Sequence, residues 1–302
     1  MKGRASRLVQ GRGEEAASGR LPRRSGLLPK IGLHVSWKGC ALVLASASMA
    51  GVEPRASLGF VVMAAPRTGS NWLCTLLDSH PEILCHHEIF NPEGLHYALR
   101  LRDGSFDLGT VAERDHAPEA VLERIWQESR GHRAVGFKLN RGQDARVFRR
   151  VLSDPWVRKI LLRRRNRIRT FVSERIAERT RRWESYVGGG AEADAGPLRL
   201  VVKAAALRDG VTRNERYYEA LEMELRASGS PHISLVYERL ADEEERRRML
   251  RFLRVAELPQ LLIGATHKQN PYPLSETIAN FAQLAQELRG SDLEAELYAD
   301  DP

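Results

Sequence analysis

Between Pro66 and Asn71 the chain reads Pro-Arg-Thr-Gly-Ser-Asn, a turn with one cation, two hydroxyls and one glycine. These residue types suit an anion. Arg67 supplies a full charge, Thr68 and Ser70 supply hydroxyl donors, and Gly69 lets backbone N–H groups come close. The turn differs from the common nucleoside-triphosphate loop G-x-x-x-x-G-K-[ST], because it has a single Gly and no Lys. It suits one phosphate, or a phosphate carrying one further anionic group. The bland alternative is an ordinary strand–turn–helix junction in which Gly69 only makes the turn and Arg67 is solvated.

A second polar group follows in residues 79–92, where His86, His87 and Glu88 stand next to one another around a short apolar, strand-like piece. This group is expected close to the Arg67 loop. Further along, Lys138 lies near the end of an apolar run, and the run at residues 160–162 passes straight into the basic stretch from Arg163 to Arg167. Lys138 reads most simply as a surface lysine. A basic stretch is most often a solvated face or a nonspecific anion patch.

The elements that must position these residues are legible. Residues 58–63 form an apolar run of the kind that makes a strand buried on both faces, and Trp72, Leu73, Leu76 and Leu77 then fall at helical spacing. Strand, tight loop and helix start direct the first free N–H groups of the helix at the loop, where the helix dipole adds about half a positive charge. Residues 134–139, 156–162 and 232–237 are further strand candidates, and 120–129, 143–152, 168–183, 214–227 and 244–253 read as helices. Residues 93–133 look like a variable insertion or cap. Strands alternating with helices imply an α/β fold with a mostly parallel central sheet and helices on both faces. Ligands of such sheets sit at the carboxyl ends of the strands, which puts Arg67, Lys138 and Arg165 on one rim.

The chain has 302 residues and a net charge of +8, which fits an anionic ligand. No interleaved basic and aromatic pattern points to nucleic acid, so a small anionic ligand is the simpler reading. The three cysteines, Cys40, Cys74 and Cys85, show no metal-ligand spacing and favour a reducing, cytoplasmic setting. Cys74 is expected as a buried thiol. Residues 1–55 read as a disordered N-terminal extension ahead of one α/β domain over 56–302. The apolar run within the extension, residues 39–52, is too short for a stable membrane span. It could pass for the core of a signal peptide, but the simpler reading is a misplaced start with the natural chain beginning at Met49.

Taken together, the motifs resemble a family. Pro66-Arg-Thr-Gly-Ser-Asn-Trp-Leu73 is similar to the 5′-phosphosulfate loop of sulfotransferases that use 3′-phosphoadenosine 5′-phosphosulfate (PAPS). Arg165 and Ser173, eight residues apart, are similar to the family's 3′-phosphate site. Ala177, Thr180 and Trp183, then Tyr237-Glu-Arg-Leu240, Phe252-Leu-Arg-Val255, His267-Lys-Gln-Asn-Pro271 and Ile278-Ala-Asn280 resemble a bacterial carbohydrate-sulfotransferase branch, which includes enzymes modifying trehalose, lipid and nodulation-factor sugars. The resemblance implies a P-loop-like three-layer fold and sulfuryl transfer from PAPS, without a metal, to a hydroxyl of a carbohydrate or glycolipid. It implies that Arg67, Thr68, Gly69, Ser70, Asn71, Trp72, Arg165 and Ser173 hold the nucleotide. Glu88 is implied as the base, with His86 or His87 as runner-up; Trp72 stands for adenine stacking or simply for core. Arg67 replaces a frequent Lys, Asn166 a frequent Asp, and the cytosolic branch's C-terminal Arg-Lys-Gly element is missing, with Lys268 as a possible stand-in. The alternatives are a non-catalytic nucleotide- or anion-binding protein of the same fold and a P-loop kinase-like phosphotransferase. Residues 94–132, which would select the acceptor, carry no readable code, and the oligomeric state is not readable either.

Overall fold

The structure is a computed structural model that describes residues 57–186 and 196–299. The extension expected over residues 1–55, its apolar run and Cys40 lie outside the described residues. Five strands, β1 (Leu58–Ala64), β2 (Ile83–His86), β3 (Ala134–Asn140), β4 (Val157–Arg163) and β5 (His232–Val236), form a sheet in the order β2-β3-β1-β4-β5. Every neighbouring pair is parallel. The α/β sheet therefore has the mostly parallel character that the apolar runs require, since a strand apolar on both sides must be covered on both sides.

Period-two alternation divides β1 between two cores. Val61 and Met63 face a layer with Ile125 and Trp126 of α3 (Pro118–Gln127), Val147 and Val151 of α4 (Ala145–Ser153), and Leu221 and Leu225 of α6 (Ala204–Ser228). Phe60 and Val62 face Leu73, Leu76 and Leu77 of α1 (Ser70–Asp78), with Met249, Leu250 and Leu253 of α7 (Glu243–Leu253). Residues 93–133 are thus more than a cap. After the short α2 (Val111–His116), α3 covers one sheet face, with Trp126 tilted against Phe137 of β3.

A third cluster joins α5 (Arg167–Thr180) to the first half of α6, to the single turn α8 (Leu274–Thr277) and to α9 (Phe281–Leu288), through Phe171, Leu207, Leu274 and Leu284 among others. Helix α5 stops at Thr180, short of the expected Trp183, because Arg181 turns left-handed at φ 57°. Helix α6 begins at Ala204, before the expected Asn214. Gly210 lowers the local helical signal there, yet a Cβ at that position would stand 2.6 Å from the Phe171 ring. The glycine permits close packing of α5 on α6. Among the described residues no helix is long and apolar enough to cross a membrane.

Candidate active site

Strand order reverses on either side of β1, which makes its carboxyl end the natural place for a ligand in a parallel sheet. There Ala64 is in register with Asn140 of β3 and Leu162 of β4. A cleft of about 1080 Å³ opens at this rim.

The loop from β1 to α1 forms one wall. Arg67 and Gly69 both take the left-handed conformation, at φ 64° and 87°. At Gly69 a Cβ would fall 2.1 Å from the Tyr237 ring, so the close packing of Tyr237 on the loop requires glycine. No side chain caps α1 among the described residues, and the N–H groups of a helix's first turn have no partner within the helix. Ser70, Asn71 and Trp72 line the cleft. Trp72 meets Tyr237 edge to face, with ring centroids 5.6 Å apart. Thr68 does not serve the cleft: it is buried, and its hydroxyl donates to the Ala65 carbonyl at 2.9 Å.

The Arg67 guanidinium spans three segments. It donates through Nε to Ser173 Oγ at 2.9 Å, through Nη1 to the Trp183 carbonyl at 2.6 Å and through Nη2 to Gln269. Burial, aided by repulsion from Arg164, lowers its pKa to about 10, so it stays a cation at neutral pH. Arg67 thus touches Ser173, one of the two residues expected at the second anion subsite. Arg165 is placed elsewhere. Its side chain is exposed and outside the cleft lining, and its backbone N–H donates to Glu238 Oε2 at 3.0 Å. Arg164 and Arg169 line the cleft instead, as does Lys268. Strand β4 ends at Arg163, and the bend after it turns the neighbouring arginine inward.

The opposite wall is built around Glu88, at the turn after β2. Its carboxylate is largely buried and accepts four hydrogen bonds. Oε1 accepts from Lys138 Nζ and from Asn140 Nδ2 at 2.9 Å. Oε2 accepts from Asn91 Nδ2 at 2.7 Å and from Gln143 Nε2 at 2.5 Å. Burial alone would raise its pKa. The Lys138 charge and the hydrogen bonds from Lys138 and Asn91 outweigh that, leaving Glu88 below the ordinary carboxylate value and ionised at neutral pH.

Lys138 is not the surface lysine expected from its position. It is 3% exposed and also donates to Asn71 Oδ1, which ties the second residue of α1 to Glu88. A lysine inside the otherwise apolar run 134–139 was the available signal. The turn itself is held by Arg114 of α2, another residue that sequence reasoning passed over. This guanidinium is buried, and its Nη1 donates to the carbonyls of Ile89, Asn91 and Gly94 at 2.9, 2.5 and 3.1 Å.

His86 and His87 lie behind this wall. Both are fully buried and outside the cleft lining. Burial drives the His86 pKa down to about 3, and burial with the nearby Lys138 charge drives His87 well below its ordinary value. His86 stacks on Phe106, and His87 Nδ1 pairs with the Tyr186 hydroxyl at 3.3 Å. Both are neutral core histidines. Cys74 and Cys85 are buried free thiols. Among the described residues no group of three His, Cys, Asp or Glu side chains is placed to hold a metal.

No protein-family model matches the chain. Nodulation protein H of Rhizobium meliloti strain 1021 is 26% identical over 235 residues, covering 74% of this chain and 89% of that protein. A second Nodulation protein H of Rhizobium meliloti is 25% identical over the same length. The chain resembles sulfotransferases. A sulfotransferase from Alicyclobacillus acidocaldarius, 17% identical, covers 83% of this chain and 98% of its own at a TM-score of 0.40. The mouse sulfotransferase SULT7A1 complexed with PAP is 13% identical, covering 80% and 88%, at a TM-score of 0.36.

Proposed function

We propose that this chain is a sulfotransferase that takes its sulfuryl group from PAPS and delivers it to a hydroxyl of a carbohydrate or glycolipid. The observation that carries the reading is the continuity of the cleft. An uncapped helix N-terminus with Arg67 and an ionised Glu88 face the same cavity, joined through Asn71 and Lys138.

Sulfuryl transfer moves a neutral SO3 unit in line from a phosphate oxygen to an acceptor oxygen. Charge grows on the leaving phosphate, and donors fixed there beforehand lower the barrier. Arg67, Gly69 and the first N–H groups of α1 are suited to that oxygen. Arg164, Arg169 and Ser173 supply the charge and hydroxyl for a second phosphate on the same nucleotide, and Trp72 with Tyr237 offers aromatic surface for its base. The acceptor hydroxyl must lose a proton, and Glu88 is the ionised carboxylate within the cleft to take it. The nucleotide subsite is thus made of Arg67, Gly69, Ser70, Asn71, Trp72 and Ser173, with Arg164 in the place expected for Arg165. The buried thiols suit a cytoplasmic setting, and the resemblance of the motifs at residues 237–240, 252–255, 267–271 and 278–280 to the bacterial carbohydrate-sulfotransferase branch supports a sugar acceptor.

The kinase-like alternative is disfavoured by the loop, which lacks the lysine and the second glycine that cradle a triphosphate. Thermal melting separates the readings. Adenosine 3′,5′-bisphosphate is expected to raise the melting temperature, and ATP to leave it unchanged. No shift with either nucleotide overturns the proposal.

A further inference from the structure

Glu88 presents a puzzle for a base, because every acceptor position of its carboxylate is filled. A hydroxyl can deliver a proton to it only where a present donor gives way. Lys138 cannot withdraw without leaving a buried charge unpaired. Of the three amides, Gln143 is held at both ends, its Oε1 accepting from the Asn140 backbone N–H at 3.0 Å. Asn91 is also held at both ends, its Oδ1 accepting from the Glu93 backbone N–H at 2.9 Å. Asn140 is different. Its Nδ2 donates to Glu88 Oε1, while its Oδ1 is buried and has no hydrogen-bond partner among the described residues. A buried acceptor without a donor is costly, and this one belongs to the amide with the weakest tether.

The carboxylate oxygen involved also matters. Oε1 is the one that Lys138 links to Asn71 on the donor loop, and Asn140 stands at the strand end in register with Ala64, where that loop begins. We propose that Asn140 is the acceptor-sensing amide: it holds the acceptor hydroxyl's place on Glu88 Oε1, yields it on binding, and then pairs with a neighbouring hydroxyl of the same acceptor. The cleft therefore selects a vicinal diol, as in a saccharide or cyclitol, over an isolated alcohol or a phenol. This rests on the sulfotransferase reading. In the step, a bond forms between the acceptor oxygen and sulfur as the bond from sulfur to the 5′-phosphate oxygen breaks. The electron pair of that broken bond stays on the phosphate, and the hydroxyl proton moves to Glu88 Oε1. Free to turn, the Asn140 amide gains a donor for its oxygen.

The test compares full-length wild type with Asn140→Ala, using PAPS and a panel of methyl hexopyranosides, their monodeoxy analogues, cyclohexanol and 4-nitrophenol, with sulfated product read by mass spectrometry. In wild type, removing the hydroxyl beside the sulfated one is expected to lower kcat/KM by roughly 10- to 100-fold, the loss for a buried polar group left unpaired. In Asn140→Ala the parent sugar falls to the rate of that analogue, and the analogue itself changes little. A purely structural Asn140 would lower both rates alike, and that outcome overturns the proposal. Preference for cyclohexanol or 4-nitrophenol in wild type also overturns it, independently of whether the variant folds. Failure of the sulfotransferase reading looks different, with no sulfated product from any acceptor and no stabilisation by adenosine 3′,5′-bisphosphate.

Discussion

The loop after β1 and the turn after β2 stand on one rim of one sheet, and they are held in opposite ways. The loop is specified by its own residues. An apolar strand, a left-handed Gly69 and an uncapped helix start make an anion site almost wherever they occur. The turn is specified from a distance. Glu88 is gripped by Lys138, Asn140 and Gln143 on and after β3 and kept ionised chiefly by the Lys138 charge, while the turn's carbonyls are held by Arg114 on α2. One wall is a property of a short segment, and the other exists only once the sheet has assembled. Binding and chemistry should therefore be separable by mutation.

The largest effect is expected on the assembled wall. Glu88→Gln keeps the shape of the side chain and removes the base. Sulfate transfer is expected to drop by about 10²–10⁴-fold, the usual contribution of a positioned base, with stabilisation by adenosine 3′,5′-bisphosphate retained. The pH profile gives the same variant a second readout. A base works only when deprotonated, and Glu88 titrates below the ordinary 4.5. Wild-type transfer should therefore hold through neutral pH and fall only as pH drops below that value. A limb near the ordinary histidine value, or full activity in Glu88→Gln, refutes the assignment.

On the local wall Arg67→Ala comes next. Removing one preorganised donor at a developing charge costs about 10²–10³-fold in kcat. Arg67 also joins Ser173, Trp183 and Gln269, so the nucleotide-induced melting shift should shrink as well. Glu88→Gln, by contrast, is expected to leave that shift intact. If Arg67→Ala lowers transfer and leaves the shift unchanged, the division of labour between the two walls is wrong.

The same contrast governs what was legible in the sequence. The parallel α/β sheet and the Arg67 loop could be read because strand burial and helix starts leave local patterns. Glu88 came from likeness to a family, and the structure adds the partners that hold it. Those partners were out of reach for a physical reason. Asn140 and Gln143 are ordinary polar residues, and only folding brings them to one carboxylate. Lys138 was misread because a lone lysine is usually solvated, whereas here the adjacent carboxylate and Asn71 make burial tolerable. Arg165 and Arg164 show the limit of spacing arguments: past a strand end, one residue decides whether a side chain faces the cleft or the solvent.

Arg114→Met gives the smallest effect on chemistry and the sharpest view of how the turn is kept. The methionine fills much of the same volume but donates nothing, so the carbonyls of Ile89, Asn91 and Gly94 lose a charged donor together. The Asn91 carbonyl keeps the Gly94 N–H, but loss of the shared charged donor should still lower stability by about 2–4 kcal/mol, read by urea denaturation. If the guanidinium also positions the base, kcat per folded molecule falls while the nucleotide-induced shift is kept, because the loop after β1 does not depend on α2. Arg114→Lys should restore part of both quantities, since an ammonium keeps the charge but cannot span three carbonyls from one fork. A loss of stability with unchanged kcat would assign Arg114 to folding alone, and Glu88 would then be held in place by Lys138 and the amides without it.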